Sequence, residues 1–433
     1  MKEKFLFVSI YIFCLFFNLT NEEDKFIEYT ITLNSSAFID VNIGGQENKP
    51  FLISLSSPTI IAFPPVENNT NKYNKELGSF KSSNITSQIV DPSDQDVNFT
   101  FNIGQEKIKF NKIENSFDIG IIEDTEFQFS PEIAGYFGLS MGSENIANFT
   151  SDKLFLDQLI KKNIISQKIV YISNYYKNNN LLNHSTLMIG KYPEKIDGED
   201  YNKGNLAFCD FENSKNFYEC KISKFFIDDY VIEMDDSDSI LGRFEEGDLR
   251  PNSFPKKLYK NFANIFNETE GCKAENYTIK CTNLAYTQNV SISIVMNDFQ
   301  FILTPASAWE DDGTLNFIFN RDDDICVLTS KFLGNYHRIY DSENNQVLFG
   351  LVDNNIIDIY VRDPEVSTTF VVIVIILTIV LIIIIILAFY LFGTKAKESD
   401  KTDDKNDSSN KEENKEENNR ITTESLLDCN ENS

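Results

Sequence analysis

The sequence predicts an all-β protein of two lobes, followed by one membrane-spanning helix near the C-terminus. Short apolar runs such as FIEYTITL, FLISL, KIVYIS and VSISIVM recur along the chain with turn residues between them, which is the pattern of all-β chains. Helical spacing of apolar residues is clear in two segments, Leu154–Asn163 and Pro255–Asn264, and the second begins with proline as helices permit. Two mostly β halves, each with one short helix, therefore indicate two lobes.

Composition limits the classes of function. The chain has 433 residues, with 39 Lys and Arg against 66 Asp and Glu, and a formal net charge of -27. An acidic balance of this size argues against nucleic acid as a partner, because nucleic acid requires a basic surface. The two histidines, His184 and His337, give a metal site or a Ser-His-Asp triad almost nothing to draw on. No phosphate-cradling glycine loop occurs, so we expect no cofactor and no metal.

The first twenty residues are interpreted as a signal peptide. A charged start, Met1–Lys4, precedes an apolar run from Phe5 to Leu19. This order is typical of secretory signals. A membrane anchor is the alternative, but the run is short for a span of about 20 residues. We therefore expect residues 1–20 to be removed from a protein of the secretory route.

A second apolar run, Phe370–Phe392, lies near the C-terminus and carries no charge. A helix over this run would be about 34 Å long, enough for a hydrocarbon core of roughly 30 Å. The run predicts a transmembrane helix over residues 369–393. Lys395 and Lys397 follow it directly and favour a cytoplasmic C-terminus. The acidic, low-complexity tail 394–433 is expected to be disordered because it has little apolar surface to bury.

Glycosylation sequons agree with a type I orientation, in which the large domain is lumenal or extracellular. Between the predicted signal peptide and residue 369, Asn-x-Ser/Thr sequons occur at nine positions: Asn34, Asn68, Asn84, Asn98, Asn148, Asn183, Asn267, Asn276 and Asn289. Each is compatible with a glycosylated surface. We expect a single-pass protein of the secretory or endolysosomal pathway or of the cell surface.

Cysteine spacing predicts two local disulfides. An oxidising compartment favours disulfide formation outside the cytoplasm. Cys209 and Cys220 flank a short segment, and Cys272 and Cys281 flank another that looks like a strand, so each couple is predicted to close a hairpin. Cys326 is then left over and is expected to be a buried thiol in a strand.

Several segments match a known family in order along the chain. They are FIDVNIGGQENKPFLISLSSPTIIAFPP at 38–65, IAGYFGLSMG at 133–142, STLMIGKYPEKIDG at 185–198, ICVLTSKFLGNYHRIYD at 325–341 and NNQVLFGLV at 344–352. Together they resemble a pepsin-like aspartic protease. The resemblance implies the bilobal β-barrel fold of acid proteases, with an N-terminal lobe at 26–190, a C-terminal lobe at 191–362 and a cleft between them.

The resemblance also implies a pair of catalytic aspartates, one per lobe, that share a proton across a bound water. The strand Phe51–Ile53 should lead into the first aspartate, but the next residue is Ser54. The second position is expected at Gly242, after the run Ser239-Ile240-Leu241. Glu245 and Glu246 lie nearby, as does Asp248, which is taken as the candidate substitute acid.

Losses elsewhere point the same way. The flap of the family carries a tyrosine before a glycine-rich tip, and the matching segment 84–96 has neither residue. These losses favour a non-catalytic protein that binds an extended peptide or protein in the cleft. We expect the protein to be a monomer. Two alternatives stay open. One is an active membrane-anchored aspartic endopeptidase that uses Asp248, or a nearby acid, with an unrecognised partner. The other is a surface adhesion or structural glycoprotein.

Overall fold

A computed structural model describes residues 25–33, 37–65, 72–91, 94–122, 132–142, 149–177, 180–211, 217–234, 240–247, 251–350 and 356–358. The predicted signal peptide, transmembrane helix and acidic tail lie outside these residues. Within the described ranges, no helix combines the length and the apolar character needed to cross a membrane.

Strands dominate the described part of the chain. The first are β1 Ile27–Leu33, β2 Ala37–Ile43, β3 Lys49–Ser54, β4 Ile61–Ala62, β5 Lys81–Asp91, β6 Asp94–Phe110, β7 Ile113–Ile122, β8 Gly135–Gly138, β9 Ile169–Ile172, β10 Tyr176–Lys177, β11 Asn180–Leu181, β12 His184–Ile189, β13 Lys195–Ile196 and β14 Glu199–Asp200. They continue as β15 Ala207–Asp210, β16 Glu219–Ile227, β17 Tyr230–Glu233, β18 Ile240–Phe244, β19 Asn252–Pro255, β20 Cys272–Glu275, β21 Thr278–Cys281, β22 Ile292–Met296, β23 Phe299–Leu303, β24 Phe317–Arg321, β25 Ile325–Leu328, β26 His337–Asp341, β27 Gln346–Gly350 and β28 Ile356–Asp358.

The helices are short and few. They are α1 Phe155–Lys161, α2 Lys256–Asn267, α3 Leu284–Asn289, α4 Pro305–Ala308 and α5 Ser330–Leu333, with single 3-10 turns at Ser151–Lys153 and Lys203–Asn205. The two helices predicted from apolar spacing are confirmed as α1 and α2. Helix α2 begins directly after Pro255 and buries Leu258, Phe262 and Phe266, which lie at three-to-four-residue spacing on one face.

Two large sheets form the described part of the molecule. The larger has 13 strands in the order β15-β27-β26-β9-β12-β1-β2-β3-β8-β4-β7-β6-β5. The second follows the order β24-β19-β25-β18-β16-β22-β23-β28, with β17 paired to β16. Strand β26 pairs with β9 of the first half, and β27 and β15 join the sheet through β26, so the larger sheet contains strands from both halves of the domain.

The same strand arrangement occurs once in each sheet. In the larger sheet, β3 runs parallel to β8, β8 antiparallel to β4, and β4 parallel to β7. In the second sheet, β18 runs parallel to β25, β25 antiparallel to β19, and β19 parallel to β24. Parallel pairs inside otherwise antiparallel sheets are unusual, and their occurrence at matching places indicates an internal repeat. Each repeat carries one loop of the candidate site.

Both predicted disulfides are present. Cys209 on β15 bonds to Cys220 on β16; because these strands belong to different sheets, this disulfide links the two large sheets and does not close a hairpin as predicted. Cys272 bonds to Cys281 across the β20–β21 hairpin, where the two cysteines face each other in register. Cys326 is a buried free thiol on β25, as expected. All of these cysteines lie after residue 200, so the described disulfides brace the second half of the domain.

The described sequon asparagines lie at the surface wherever their burial is defined. Asn183, Asn267 and Asn289 are exposed, and so are Asn84 and Asn276, which adopt left-handed backbone conformations with φ of 57° and 50°. A left-handed asparagine is common in turns. Asn98 lies on β6, whereas three sequons, at 34, 68 and 148, fall outside the described residues. Glycosylation of these sites stays a prediction.

Candidate functional site

The first loop of the site follows strand β3 and is named here the first-lobe loop, residues 54–57. Strand β3 ends at Ser54, whose partner across the parallel ladder is Gly138 of β8. The Ser54 hydroxyl is buried; it accepts a hydrogen bond from the Ser57 backbone N–H at 3.0 Å and lies 3.3 Å from the Ser56 hydroxyl. The loop is thus closed by a hydrogen bond to the Ser54 hydroxyl at the place where the resemblance predicts a carboxylate.

The second loop follows strand β18 and is named the second-lobe loop, residues 245–247. The β18–β25 ladder ends with Phe244 opposite Leu328, and the Glu245 N–H then donates to the Leu328 carbonyl at 3.0 Å. Extended by one residue, this register would set Glu245 against Thr329. We match Phe137-Gly138 of β8 to Leu328-Thr329, which makes Glu245 the counterpart in the second repeat of Ser54 in the first.

The two loops touch. The Leu55 N–H donates to Glu245 Oε1 at 3.1 Å, and the Ala37 N–H donates to the Gly247 carbonyl at 2.8 Å. Gly247 has φ of +82°, and a Cβ built on it would come within 2.4 Å of the Ile53 carbonyl oxygen. A glycine is therefore required at 247, because any other residue would clash with β3 and strain the backbone. The first- and second-lobe loops meet at this point.

Gly242, the sequence-based candidate for the second catalytic position, lies in the middle of β18, paired with Cys220 on one side and Cys326 on the other. A Cβ at Gly242 would face Leu328 and Ile222 at 3.1 and 3.2 Å, inside the apolar core. The strand runs two residues beyond Gly242, to Phe244, so the loop begins at Glu245, three residues after the sequence-based candidate.

A sequence signal for the correct register was available. In the family, a glycine follows the catalytic acid by two residues, and the triplet Glu245-Glu246-Gly247 has this spacing. Arg243, the residue after Gly242, pairs with Glu219 at 2.6 Å and lies over the Phe217 ring. Asp248, the candidate substitute acid, lies outside the described residues.

The flap segment predicted at 84–96 lies on a hairpin. Strands β5 and β6 pair antiparallel along most of their length, up to Asp91 opposite Asp94. Residues 84–96 lack the tyrosine and the glycines that the resemblance predicts for a flap.

Glu246, the middle residue of the second-lobe loop, is held by a buried cation and two phenols. Arg338 donates from Nε to Glu246 Oε1 at 2.7 Å and from Nη2 to Oε2 at 2.8 Å. Tyr340 donates to Oε1 at 2.7 Å, and Tyr175 donates to Oε2 at 2.8 Å. We call Glu246, Arg338, Tyr175 and Tyr340 the Glu246 clamp. Glu246 and Arg338 are both fully buried.

Within the clamp, the Glu246 carboxylate is balanced by the Arg338 cation and bound by both phenols. Burial raises the pKa of Tyr175 and of Tyr340 well above the usual value, and the nearby Glu246 carboxylate adds to the rise, so both phenols stay protonated donors. Burial lowers the pKa of Arg338, but the charge and hydrogen bonds of Glu246, together with Tyr175 and Tyr340, more than offset this and raise the pKa overall. Arg338 also donates to the Ser173 carbonyl at 3.0 Å. The second-lobe loop is thereby fastened to β26 and to the segment after β9.

Among the described residues, Glu245 directs its carboxylate to the first-lobe loop, where Ser54 and Ser56 bring hydroxyls. Two carboxylates from opposite lobes can share a proton, and a carboxylate with a serine cannot do so, because the hydroxyl does not ionise in the working range. The floor can still accept and donate hydrogen bonds to a peptide backbone. Among the described residues, no cluster of three or more His, Cys, Asp or Glu side chains could hold a metal ion.

Comparison with known proteins agrees with this architecture. The family model described as eukaryotic aspartyl protease matches residues 67–352, which are 286 of the 433 residues and include the second-lobe loop but not Ser54. No curated protein sequence matches the chain. The fold is mostly β and consistent with the pepsin-like fold predicted from the sequence. The chain belongs to the eukaryotic aspartyl protease family.

Proposed function

We propose that this protein is a type I membrane glycoprotein whose pepsin-like domain binds an extended peptide or protein segment in the cleft without cleaving it. One observation carries the proposal. The first-lobe loop contributes the hydroxyl of Ser54 where an acid is needed, and no Asp or Glu occurs between Glu47 and Glu67 to replace it. The shared-proton device belongs to the pair of acids, so the loss of one member removes it.

The binding mode follows from the strand-rich walls of such a cleft. An extended peptide can be held by main-chain hydrogen bonds to a strand edge, with pockets for alternate side chains giving specificity. The Ser54 and Ser56 hydroxyls and the Glu245 carboxylate lie at or beside the meeting point of the loops and offer further polar partners. Retention of both loops supports a cleft that is kept for binding after the loss of chemistry.

The cellular setting is part of the proposal. Disulfides persist in secretory and extracellular compartments, and the chain forms two of them. The exposed sequons at Asn183, Asn267 and Asn289 fit the same compartments. The apolar run at 369–393 would anchor the domain to a membrane of the secretory or endolysosomal pathway or to the cell surface.

The test is a paired binding and cleavage assay on the purified ectodomain. A mixed peptide library is incubated from pH 3 to pH 7, with and without pepstatin, and is analysed by mass spectrometry for products and for retained peptides. We expect retained peptides and no products. Glu245→Gln serves as a matched variant, since it keeps the size of the side chain and removes its charge. Pepstatin-sensitive products from the wild-type domain would end the proposal.

The position of Glu245 favours one rival, an active endopeptidase with divergent motifs. Glu245 holds the second-lobe place of a catalytic acid and could act with an acid from elsewhere in the chain, for which Asp248 is the sequence candidate. If wild-type turnover were found, Glu245→Gln and Asp248→Ala would each abolish it under this rival. Turnover that survives both substitutions would come from a contaminant.

A further inference from the structure

We infer that an acid at position 54 is enough to give this cleft peptide hydrolysis despite the changes in the flap sequence, because the second-lobe half of an acid pair is retained and the first-lobe turn can still hold a carboxylate. The inference rests on the proposed function, since it takes the wild-type domain to be inactive. It goes further by placing the decisive defect in one side chain.

The turn around Ser54 is suited to a carboxylate. The Ser57 N–H already donates to the Ser54 oxygen at 3.0 Å, and the Ser56 hydroxyl lies 3.3 Å away. An ionised carboxylate is an acceptor with two oxygens, and donors of these kinds satisfy it well. An aspartate at 54 branches from the same Cβ as the serine, so one of its oxygens can take over the bond from Ser57.

The opposite half is held in place by contacts independent of Ser54. Glu245 keeps the ladder bond to the Leu328 carbonyl and directs its carboxylate to the Leu55 N–H of the first-lobe loop. The neighbouring Glu246 is fixed by two bonds to Arg338. Glutamate is one methylene longer than aspartate, which extends the reach of its carboxylate toward position 54. The acid at 245 is therefore already aimed at the residue next to 54.

Two carboxyl groups brought together here would share one proton, because both cannot ionise at short range. The ionised group would take a proton from water as the water oxygen bonds to the peptide carbonyl carbon. The protonated group would give its proton to the amide nitrogen as the C–N bond breaks. One peptide and one water yield one carboxylic acid and one amine, and the pair ends with the single proton it began with.

The experiment compares Ser54→Asp with three other proteins: wild type, the isosteric but neutral Ser54→Asn, and the double variant Ser54→Asp/Glu245→Gln. Each ectodomain is incubated with the peptide library at pH 3 to 6, with and without pepstatin. We expect Ser54→Asp to cleave peptides about 10²–10⁴-fold faster than the double variant, which is the range for one positioned proton-transfer group. Wild type and Ser54→Asn should stay at background.

A second measurement addresses folding. Thermal unfolding at pH 4 and pH 7 should show that Ser54→Asp loses stability relative to Ser54→Asn as the pH rises, because the acid pair resists losing its proton. A Ser54→Asp domain that is folded and binds peptides but gives no products would overturn the inference. So would a variant that fails to fold at either pH while Ser54→Asn folds. Neither result affects the proposed function, which depends on wild-type turnover and binding.

Discussion

The loops that follow β3 and β18 occupy matching places in the internal repeat but have opposite chemistry. The first-lobe loop turns on neutral hydroxyls, with Ser54 buried at its start. The second-lobe loop carries two adjacent carboxylates, Glu245 and Glu246, and ends in a glycine that its contact with Ile53 requires. Strand pairing and the meeting of the loops survive the change of side chains. The comparison teaches that this architecture depends on backbone registers, whereas catalysis depends on a few side chains.

The two lobes also satisfy their buried acids differently. Glu106 on β6 accepts bonds from neutral groups, namely the Tyr73 hydroxyl, the Ser79 N–H and hydroxyl, and the Lys107 N–H. Glu246 is matched by the full charge of Arg338 together with two phenols. A buried carboxylate paired with a cation is more sensitive to the loss of its partner than one bound by neutral groups, because the loss leaves an uncompensated charge in the interior.

The largest expected effect breaks the Glu246 clamp. Arg338→Met should destabilise the ectodomain by about 3–5 kcal/mol, because it leaves the Glu246 charge buried without its cation. Urea unfolding measures the loss. The control is Lys256→Ala, which breaks a solvent-exposed pair with Asp322 and should cost about 1 kcal/mol or less. Equal losses in the two variants would show that the clamp does not hold the second-lobe loop.

The next effect is the loss of stability on removing a disulfide from the second half of the domain. Cys272→Ser/Cys281→Ser removes the disulfide that closes the β20–β21 hairpin and should lower stability by about 2–4 kcal/mol. Hydrogen exchange should show the loss in strands after residue 200 and not in β1–β8, because the described disulfides lie only in the later half. Cys326→Ser, at a buried thiol without a disulfide, is the matched control. Uniform loss of protection would mean that the two halves unfold as one unit.

A smaller effect is expected at Glu106, the buried acid of the first lobe that is bound by neutral donors. Tyr73→Phe removes a donor from the buried Glu106 carboxylate and should cost about 1–3 kcal/mol. Burial raises the pKa of Tyr73 far above its usual value, with a further rise from Glu106, so the hydroxyl is a protonated donor throughout the working range. Chemical denaturation measures the change. Tyr277→Phe, at an exposed tyrosine, should be neutral within about 0.5 kcal/mol.

The smallest expected effect is the pH dependence of stability that comes from His337. His337 on β26 lies next to Arg338, and its Nδ1 is 2.9 Å from the Tyr171 hydroxyl while its Nε2 is 3.1 Å from Asp197. Burial lowers the pKa of His337 below 6.5, and Asp197 only partly opposes this. Burial also raises the pKa of Tyr171 to about 12, so that residue stays neutral.

Because the folded-state pKa of His337 is depressed, its contribution to stability is present above pH 6.5 and declines as the pH falls toward the folded-state pKa. The slope cannot exceed about 1.4 kcal/mol per pH unit for one proton. His337→Gln should flatten this part of the curve of stability against pH, measured by urea unfolding from pH 7.5 to 5. An unchanged slope in the variant would place the acid sensitivity elsewhere.

Much of the fold was predictable because its signals are local. The period of apolar residues predicted the strands and both α1 and α2, and short cysteine spacing predicted both disulfides. The loss at position 54 was equally visible, since it follows an apolar strand with no acid nearby in the sequence. The end of strand β18 was not visible locally, and the prediction put the start of the loop at Gly242, which lies within the strand. Where β18 ends depends on its pairing with β25, more than eighty residues away in the sequence.

The sequence by itself determined that this chain is a two-lobed β protein of a protease family and that Ser54 follows the apolar strand with no Asp or Glu between Glu47 and Glu67. Only the tertiary structure decided that Glu245 faces the first-lobe loop and that Glu246 is bound to Arg338. The physical reason is that side-chain periodicity is written along one strand, whereas the end of a parallel ladder and the partner of a buried charge are fixed by distant segments that meet only in the folded chain.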